Sequence, residues 1–453
     1  MASPDVIIIG AGLAGSEAAW QIAQRGFLVH LYEMRPLVTT GAHQTSDLAE
    51  LVCSNSLGSI LPDRASGVLK SELRTLGSLL MEAADFAAIP AGTALAVDRS
   101  AFSEFVERKL AVQKNIEIIR QEMTEIPPNP TIIATGPLTS KSLSDAIARL
   151  TGERHLFFYD AIAPIVTAES IDLKIAFRAS RYGKGNIEDG DYLNCPLSKD
   201  EYDTFILELL SAKRIPLRTF EEDIEHGVTA GAHRFFEGCL PVEIIAQRGE
   251  KSLTFGPMRP TGLTDPRTGR WPYAVVQLRQ DNLAGSNYNL VGFQTNLTFP
   301  EQKRVFRMIP GLEEADFTRY GQMHRNTFIA SPKVLLPTLQ YRNRPDISFA
   351  GQITGVEGYL GNIGTGLLAG INMARFLKGI QPFSLPPTSI LGALCHYITH
   401  ADLKDFQPMK ANFGILPPLA NHVRAGKRER ARLYAERSAR ELRRYIMENS
   451  WIP

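Results

Sequence analysis

The strongest constraint on this chain is a strand–turn–helix–strand pattern in its first thirty-odd residues. Asp5-Val6-Ile7-Ile8-Ile9 runs into Gly10-Ala11-Gly12-Leu13-Ala14-Gly15, and a second apolar run, 27–32, closes on Glu33. The β-branched run predicts a strand buried on both faces. Gly10, Gly12 and Gly15 give the spacing G-x-G-x-x-G. In such a turn the first glycine makes the bend, the second admits a pyrophosphate to the backbone, and the third packs helix on strand. Ala11, Leu13 and Ala14 complete the turn. The helix expected over about 14–25 aims its N–H groups and dipole at the phosphates. Glu33, 18 residues after Gly15, stands where a carboxylate accepts hydrogen bonds from a ribose.

Two further segments favour FAD over NAD. Thr131-Ile132-Ile133-Ala134-Thr135-Gly136 reads as a strand ending in Ala-Thr-Gly, as where two-part FAD enzymes return to their nucleotide domain. Residues 346–351 read as another strand, followed by the glycine-rich stretch 355–366 and a small-residue helix to about Leu377. Gly351, Asn362, Gly364 and Thr365 are the cofactor-contact candidates there; a plain loop is the competing reading. Gly351-Gln352 replaces the usual Gly-Asp, which removes an acidic contact. The early position of the first motif points the same way. The pattern predicts an α/β chain with a Rossmann-like FAD-binding domain of the glutathione-reductase-like class. That domain is discontinuous, over 1–165 and 325–453. The segment 166–324 lacks the βαβ rhythm and reads as an inserted α+β domain for substrate.

At 453 residues, 44% hydrophobic and 21% charged, the composition is that of an ordinary globular protein. No run has the length of a membrane span. The short N-terminal apolar run lacks a basic leader, so no signal peptide is expected, and a cytoplasmic location follows. Cys53, Cys195, Cys239 and Cys395 are far apart and form no C-x-x-C. A dithiol redox centre and a metal site are therefore not expected. The net charge of +1 hides an asymmetry: segment 424–444 holds nine Lys or Arg against three Glu. Arg424, Lys427 and Arg428 open that segment. It reads either as a phosphate-contacting ridge or as the solvated face of an amphipathic helix.

Two cysteines sit in unusual surroundings. Cys53 lies in Leu51-Val52-Cys53-Ser54-Asn55-Ser56-Leu57, among polar neighbours. Cys239 lies in Phe236-Glu237-Gly238-Cys239-Leu240-Pro241, where glycine and proline predict an exposed turn. Either thiol taken alone also reads as inert and partly buried.

Taken in order, these blocks resemble the folate- and FAD-dependent tRNA (uracil-5-)-methyltransferase family. The similarity extends through Tyr32-Glu33-Met34-Arg35-Pro36, Gly256-Pro257-Met258-Arg259-Pro260, Tyr273-Ala274-Val275-Val276-Gln277-Leu278-Arg279, Val291-Gly292-Phe293-Gln294-Thr295 and His324-Arg325-Asn326-Thr327. The resemblance implies methylation of C5 of the T-loop uridine, position 54, of tRNA. It implies 5,10-methylenetetrahydrofolate as the one-carbon donor, reduced FAD as reductant, and NADH or NADPH as the electron source. Uracil C5 is a poor nucleophile, and a thiolate adding at C6 activates it. Cys239 resembles the family's uracil-attacking thiol and Cys53 its second functional thiol; which does which stays open. Arg325 and Asn326 are candidate folate or flavin contacts, or loop-stabilising residues. Three other readings remain: the longer flavoprotein that modifies wobble uridine, a generic NAD(P)H-dependent FAD oxidoreductase, and a flavin-bearing RNA-binding protein without turnover. Oligomeric state is not legible.

Overall fold

A computed structural model describes residues 5–153, 156–184, 190–215, 240–419 and 426–449. Two six-stranded sheets organise the chain. In the first, Val6–Ile9 is central, parallel to Val29–Glu33 on one side and Thr131–Ile133 on the other. Ile116–Arg120 extends the sheet beyond Val29–Glu33, and Arg344–Phe349 lies beside Thr131–Ile133, both parallel. Gln340–Tyr341 closes the edge antiparallel. All four residues of Val6–Ile9 are buried, which explains the unbroken apolar run: a central parallel strand has no wet face.

Helix Leu13–Ala23 leaves the glycine turn and packs against helix Tyr359–Leu377. Small residues permit a backbone-to-backbone approach. A Cβ at Gly366 would stand 2.2 Å from the Ala14 carbonyl oxygen, and one at Gly370 would stand 2.7 Å from that of Ala18. The sequence pattern placed this second helix after the glycine-rich stretch. It starts instead at Tyr359 and takes Gly361, Gly364 and Gly366 into its interior. Glycine is a poor helix former, and here close packing, of Gly366 on the first helix and of Gly364 on Leu391 and Leu73, overrides that preference.

The second sheet is antiparallel. Its order is Phe177–Ala179, Tyr192–Leu197, Ala274–Gln280, Asn287–Leu290, Ile165–Thr167, Phe317–Arg319. Helices Lys199–Ser211 and Phe299–Phe306 contribute Tyr202, Phe205, Val305 and Phe306 to its separate core, which includes Phe293. The chain leaves the first sheet through Leu156–Ala161 and returns through Met323–Phe328, two strands paired antiparallel with each other. A small sheet of Ser56–Ser59, Ala94–Val97 and Ala88–Ile89 follows the Cys53 loop.

Gly366→Ala should destabilise the protein by about 1–3 kcal/mol, the usual cost of overpacking a tight contact. The urea midpoint should fall with an unchanged slope. A wild-type midpoint would show that the two helices separate freely.

Candidate active site

The first sheet opens at the carboxyl ends of its strands into a cleft. Gly10, Gly12, Leu13, Ala14, Glu33, Gly351 and Asn362 line it, so seven of the predicted cofactor residues converge there from both ends of the chain. Gly10 adopts φ +97, and a Cβ there would meet the Ala134 carbonyl oxygen at 2.7 Å. A Cβ on Gly15 would fall 1.8 Å from the Gly10 carbonyl oxygen, so this position holds helix on turn rather than touching a ligand. Ala11, Gly364 and Thr365 also stand behind the wall. Ala11 donates its N–H to Glu33 at 3.1 Å. Gly364 faces Leu391 and Leu73. The Thr365 hydroxyl accepts from Gly351 N–H at 2.9 Å and donates to the Gly361 carbonyl, fixing strand end to helix.

Glu33 is 5% exposed. Burial pushes its pKa up, but hydrogen bonds from the Arg35 side chain, the Arg35 charge, and the backbone N–H groups of Arg35 and Ala11 outweigh this. They hold the carboxyl below its ordinary value. Arg35 in turn pairs with Glu50 at 2.9 Å and donates to the carbonyls of Thr45 and Asp47. His43 beside them is lowered to about 4, by burial and then by the Arg35 charge, so its ring is neutral at neutral pH. Arg35 and His43 were not singled out from sequence; their signal was adjacency to Glu33 and Cys53.

A second cavity adjoins the first. Val52, Pro137, Leu138, Gln352, Tyr359 and Asn362 line both. Cys53 lines the second and is half-buried. Cys195 and Cys395 are fully buried, and burial pushes their thiols up, Cys395 to about 12. Among the described cysteines, Cys53 alone reaches a cavity. Cys239 lies outside the described residues.

The Cys53 loop is clamped from three directions. The Tyr359 hydroxyl accepts the N–H groups of Cys53 and Ser54 at 2.8 and 2.9 Å. Arg99 donates to the carbonyls of Leu51 and Cys53 and pairs with Asp281 at 3.2 Å. Asn55, fully buried, donates to the Gln280 carbonyl at 2.9 Å and accepts from Arg279 at 2.8 Å. Gln280 and Arg279 belong to the second sheet, so the loop is stapled to that sheet. Arg99 and Arg319 bring guanidinium charge within electrostatic reach of Cys53. These partners account for a buried asparagine at position 55. Asn55, Arg99, Arg279, Asp281 and Tyr359 were missed as site residues because their contacts are non-local. Asn326 lines the second cavity as well.

The cleft fits a dinucleotide. A Cβ on Gly12 would meet nothing within 4 Å, so the backbone is open to the cavity at that turn. Asn362 Oδ1, buried on the shared wall, has no hydrogen-bond partner among the described residues, and a buried unsatisfied acceptor is costly. Both are what an absent polar ligand leaves behind.

The basic segment is helix Lys427–Glu448; Arg424 lies outside the described residues. Ala431, Ser438 and Leu442 face inward, and Lys427 and Arg428 are exposed at its start. Several cations are already engaged. Arg428 pairs with Asp63 at 3.4 Å, Arg432 with Glu429 and Glu436, and Arg444 with Glu448. Arg437 donates to the carbonyls of Pro417 and Pro418. The sequence count therefore overstates the available positive charge.

A parallel sheet with a glycine turn, a C-terminal strand–helix closing the same cleft, and an inserted antiparallel sheet define a Rossmann-like FAD-binding flavoprotein fold. The family model "Glucose inhibited division protein A" matches residues 5–381. Methylenetetrahydrofolate–tRNA-(uracil-5-)-methyltransferase TrmFO of Heliobacterium modesticaldum is 57% identical over 98% of both chains. The enzyme of the same name from Brevibacillus brevis is 52% identical over 99% of both. The chain belongs to this family, in the branch those methyltransferases form. Aquifex aeolicus GidA superposes with a TM-score of 0.69 at 17% identity, covering all of this chain and 74% of that one, which is a likeness of fold. No helix among the described residues is long and apolar enough to cross a membrane.

Asn55→Ala should release the loop from the second sheet. Alkylation of Cys53 by iodoacetamide should accelerate about 5-fold or more, since a lost hydrogen-bond pair is worth roughly 1–3 kcal/mol. An unchanged rate would show that Tyr359 and Arg99 suffice.

Proposed function

We propose that this protein methylates C5 of the T-loop uridine of tRNA in the cytoplasm. Its donor is 5,10-methylenetetrahydrofolate, its resident cofactor FAD, and its electron source NADH or NADPH. One observation carries the reading: a half-buried thiol, Cys53, faces a chamber that shares a wall with the dinucleotide cleft. Sequence identity above 50% to methyltransferases over the whole chain supports it.

The Gly10–Gly12 turn, Glu33 and the first turn of helix Tyr359–Leu377 would hold FAD, which when bound would supply the reducing equivalents that take a one-carbon unit from methylene to methyl level. The protein's own part begins with a thiolate. Its sulfur bonds to uracil C6, and the electrons of the C5–C6 double bond move towards the C4 carbonyl as an enolate, which makes C5 nucleophilic. After C5 gains its substituent, removal of its proton lets the S–C6 bond break and restores the double bond. Two thiols divide attack and proton transfer, and Cys239 is our candidate for attack and Cys53 for the second role. Tyr359, Arg99 and Asn55 keep Cys53 in place. The apolar walls Leu57, Leu138, Ile162 and Leu360, with Asn326 and Glu357 among them, suit a planar hydrogen-bonding heterocycle such as the pterin of the folate. Lys427 and Arg428, with Arg424, are proposed contacts to tRNA phosphates.

Nucleoside analysis of tRNA incubated with protein, folate donor and NAD(P)H tests the reading. Ribothymidine in the T-loop is expected; a product at the wobble position would instead assign the related modification, and no product would leave an ordinary oxidoreductase. Cys239→Ala should retain FAD, lose methyl transfer by about 10³-fold or more, as expected for an essential nucleophile, and form no adduct with 5-fluorouridine-bearing T-arm RNA. An adduct in that variant but not in Cys53→Ala would reverse the two roles. Charge reversal of Lys427 and Arg428 should flatten the salt dependence of tRNA binding by about two in log–log slope at unchanged FAD content. A parental slope would reduce this helix to a solvated surface.

A further inference from the structure

Three aromatic rings form a ladder on the inserted domain. Tyr320 stacks on Phe317 with centroids 5.3 Å apart and planes 15° off parallel. Phe299 stacks on Tyr320 at 4.9 Å and 19°. Phe317 is rooted against the core of the second sheet. Phe299, at the other end, is 39% exposed. The ladder thus runs from core to solvent and ends in a ring with surface to offer.

Its position is tied to the proposed active site. Arg319, beside Tyr320, donates to the Ala42 carbonyl at 3.2 Å, and Ala42 lines the second cavity. Gly321, on the other side, lies so close to the Ile162 carbonyl oxygen that a Cβ would stand 2.7 Å from it; Ile162 also lines that cavity. The ladder is held rigidly. Fully buried Gln302 accepts the Gly321 N–H and donates to the Gly321 carbonyl, both at 2.8 Å. This bidentate bond locks the Tyr320–Gly321 backbone to the helix that carries Phe299. Two exposed lysines stand nearby. Lys303, exposed, follows Phe299 by one helical turn on the same face. The Lys213 carbonyl binds Thr298 N–H just before Phe299, and Lys213 is exposed. Glu301 is taken up by Arg304 at 2.7 Å.

A preorganised aromatic face flanked by cations is how proteins hold unstacked nucleobases. We propose that Phe299, backed by Tyr320 and Phe317, is a stacking platform for a T-loop nucleotide displaced when the target uridine enters the cavity. The inference rests on the RNA-substrate reading above and names a subsite within it.

The test compares Phe299→Ala, Phe299→Leu and Phe299→Trp with the parent, using full-length protein and T-arm RNA. Stacking on one base predicts a rise in KM of about 5- to 100-fold for the alanine variant, with kcat at saturating RNA and FAD content unchanged. The leucine variant should share that defect, since it keeps apolar area without a π-face. The tryptophan variant should restore KM, and its added fluorescence should be quenched by the RNA. A parental KM in Phe299→Ala, a wild-type leucine variant or an unquenched tryptophan would each overturn the proposal. If the parent itself methylates no T-loop uridine, the functional reading fails. If the parent methylates and the variants match it, the platform alone fails.

Discussion

The close contact between helices Leu13–Ala23 and Tyr359–Leu377 is the constraint on which the cleft depends. Their sequences are separated by more than three hundred residues, yet the backbone of one lies against the backbone of the other at Gly366 on Ala14 and Gly370 on Ala18. Gly351 packs on Ala14 in the same way, a Cβ there standing 2.9 Å from the Ala14 methyl group. The glycine turn and the C-terminal strand end are thereby held across one gap, which both line. Side chains of ordinary size at these positions would push the helices apart and widen the gap beyond the reach of a single ligand. Composition here works through absence of bulk, and dispersion between closely packed backbones replaces side-chain interdigitation.

A second constraint joins this cleft to the inserted sheet. The Arg99–Asp281 pair and the Asn55–Arg279 bond cross between the two cores at the Cys53 loop. Arg279 is buried and Arg99 is largely shielded from solvent. Burial acts to lower the pKa of each guanidinium; at Arg99 the Asp281 charge outweighs that effect, whereas Arg279 remains lowered. A cluster of this kind contributes little net stability, since desolvation offsets the Coulombic gain. Its consequence is geometric: the thiol, the Tyr359 hydroxyl and the shared cavity wall keep one arrangement.

The fold was legible where local pattern and burial agree. Residues 6–9 announce a central parallel strand because every side chain there is apolar, and Gly10, Gly12 and Gly15 announce the turn because each glycine has its own steric reason. The cleft side of residues 351–362 was legible in outline. Gly364 and Thr365 were less so, since helical periodicity turns them behind the wall and only the finished packing reveals this. Asn55, Arg99 and Asp281 could not be read from spacing, because their partners come from distant strands. The basic C-terminal segment misled by count: Arg432 and Arg444 have Glu neighbours at helical spacing, and Arg437 serves two proline carbonyls.

Buried acids elsewhere show why charge alone is a poor guide to a site. Glu17 sits inside the first helix and accepts from the Ser78 hydroxyl, the N–H groups of Leu79 and Leu80, and the Gln21 amide. Glu72 accepts from the N–H groups of Ile390 and Leu391 and from the Ser438 hydroxyl. Burial raises both pKa values, and the hydrogen bonds work against it. Every neighbour is a donor, which is the environment of a carboxylate completing a helix N-terminus. Neither acid lines the cleft. Each instead ties an outer helix to the nucleotide-binding core: Glu17 anchors the start of Leu79–Phe86, and Glu72 anchors Ile390–His400 together with the basic C-terminal helix through Ser438. The helix proposed to meet RNA phosphates is therefore fastened through Ser438 to the buried Glu72 that also holds Ile390–His400, so its orientation is set by the protein and not by the RNA.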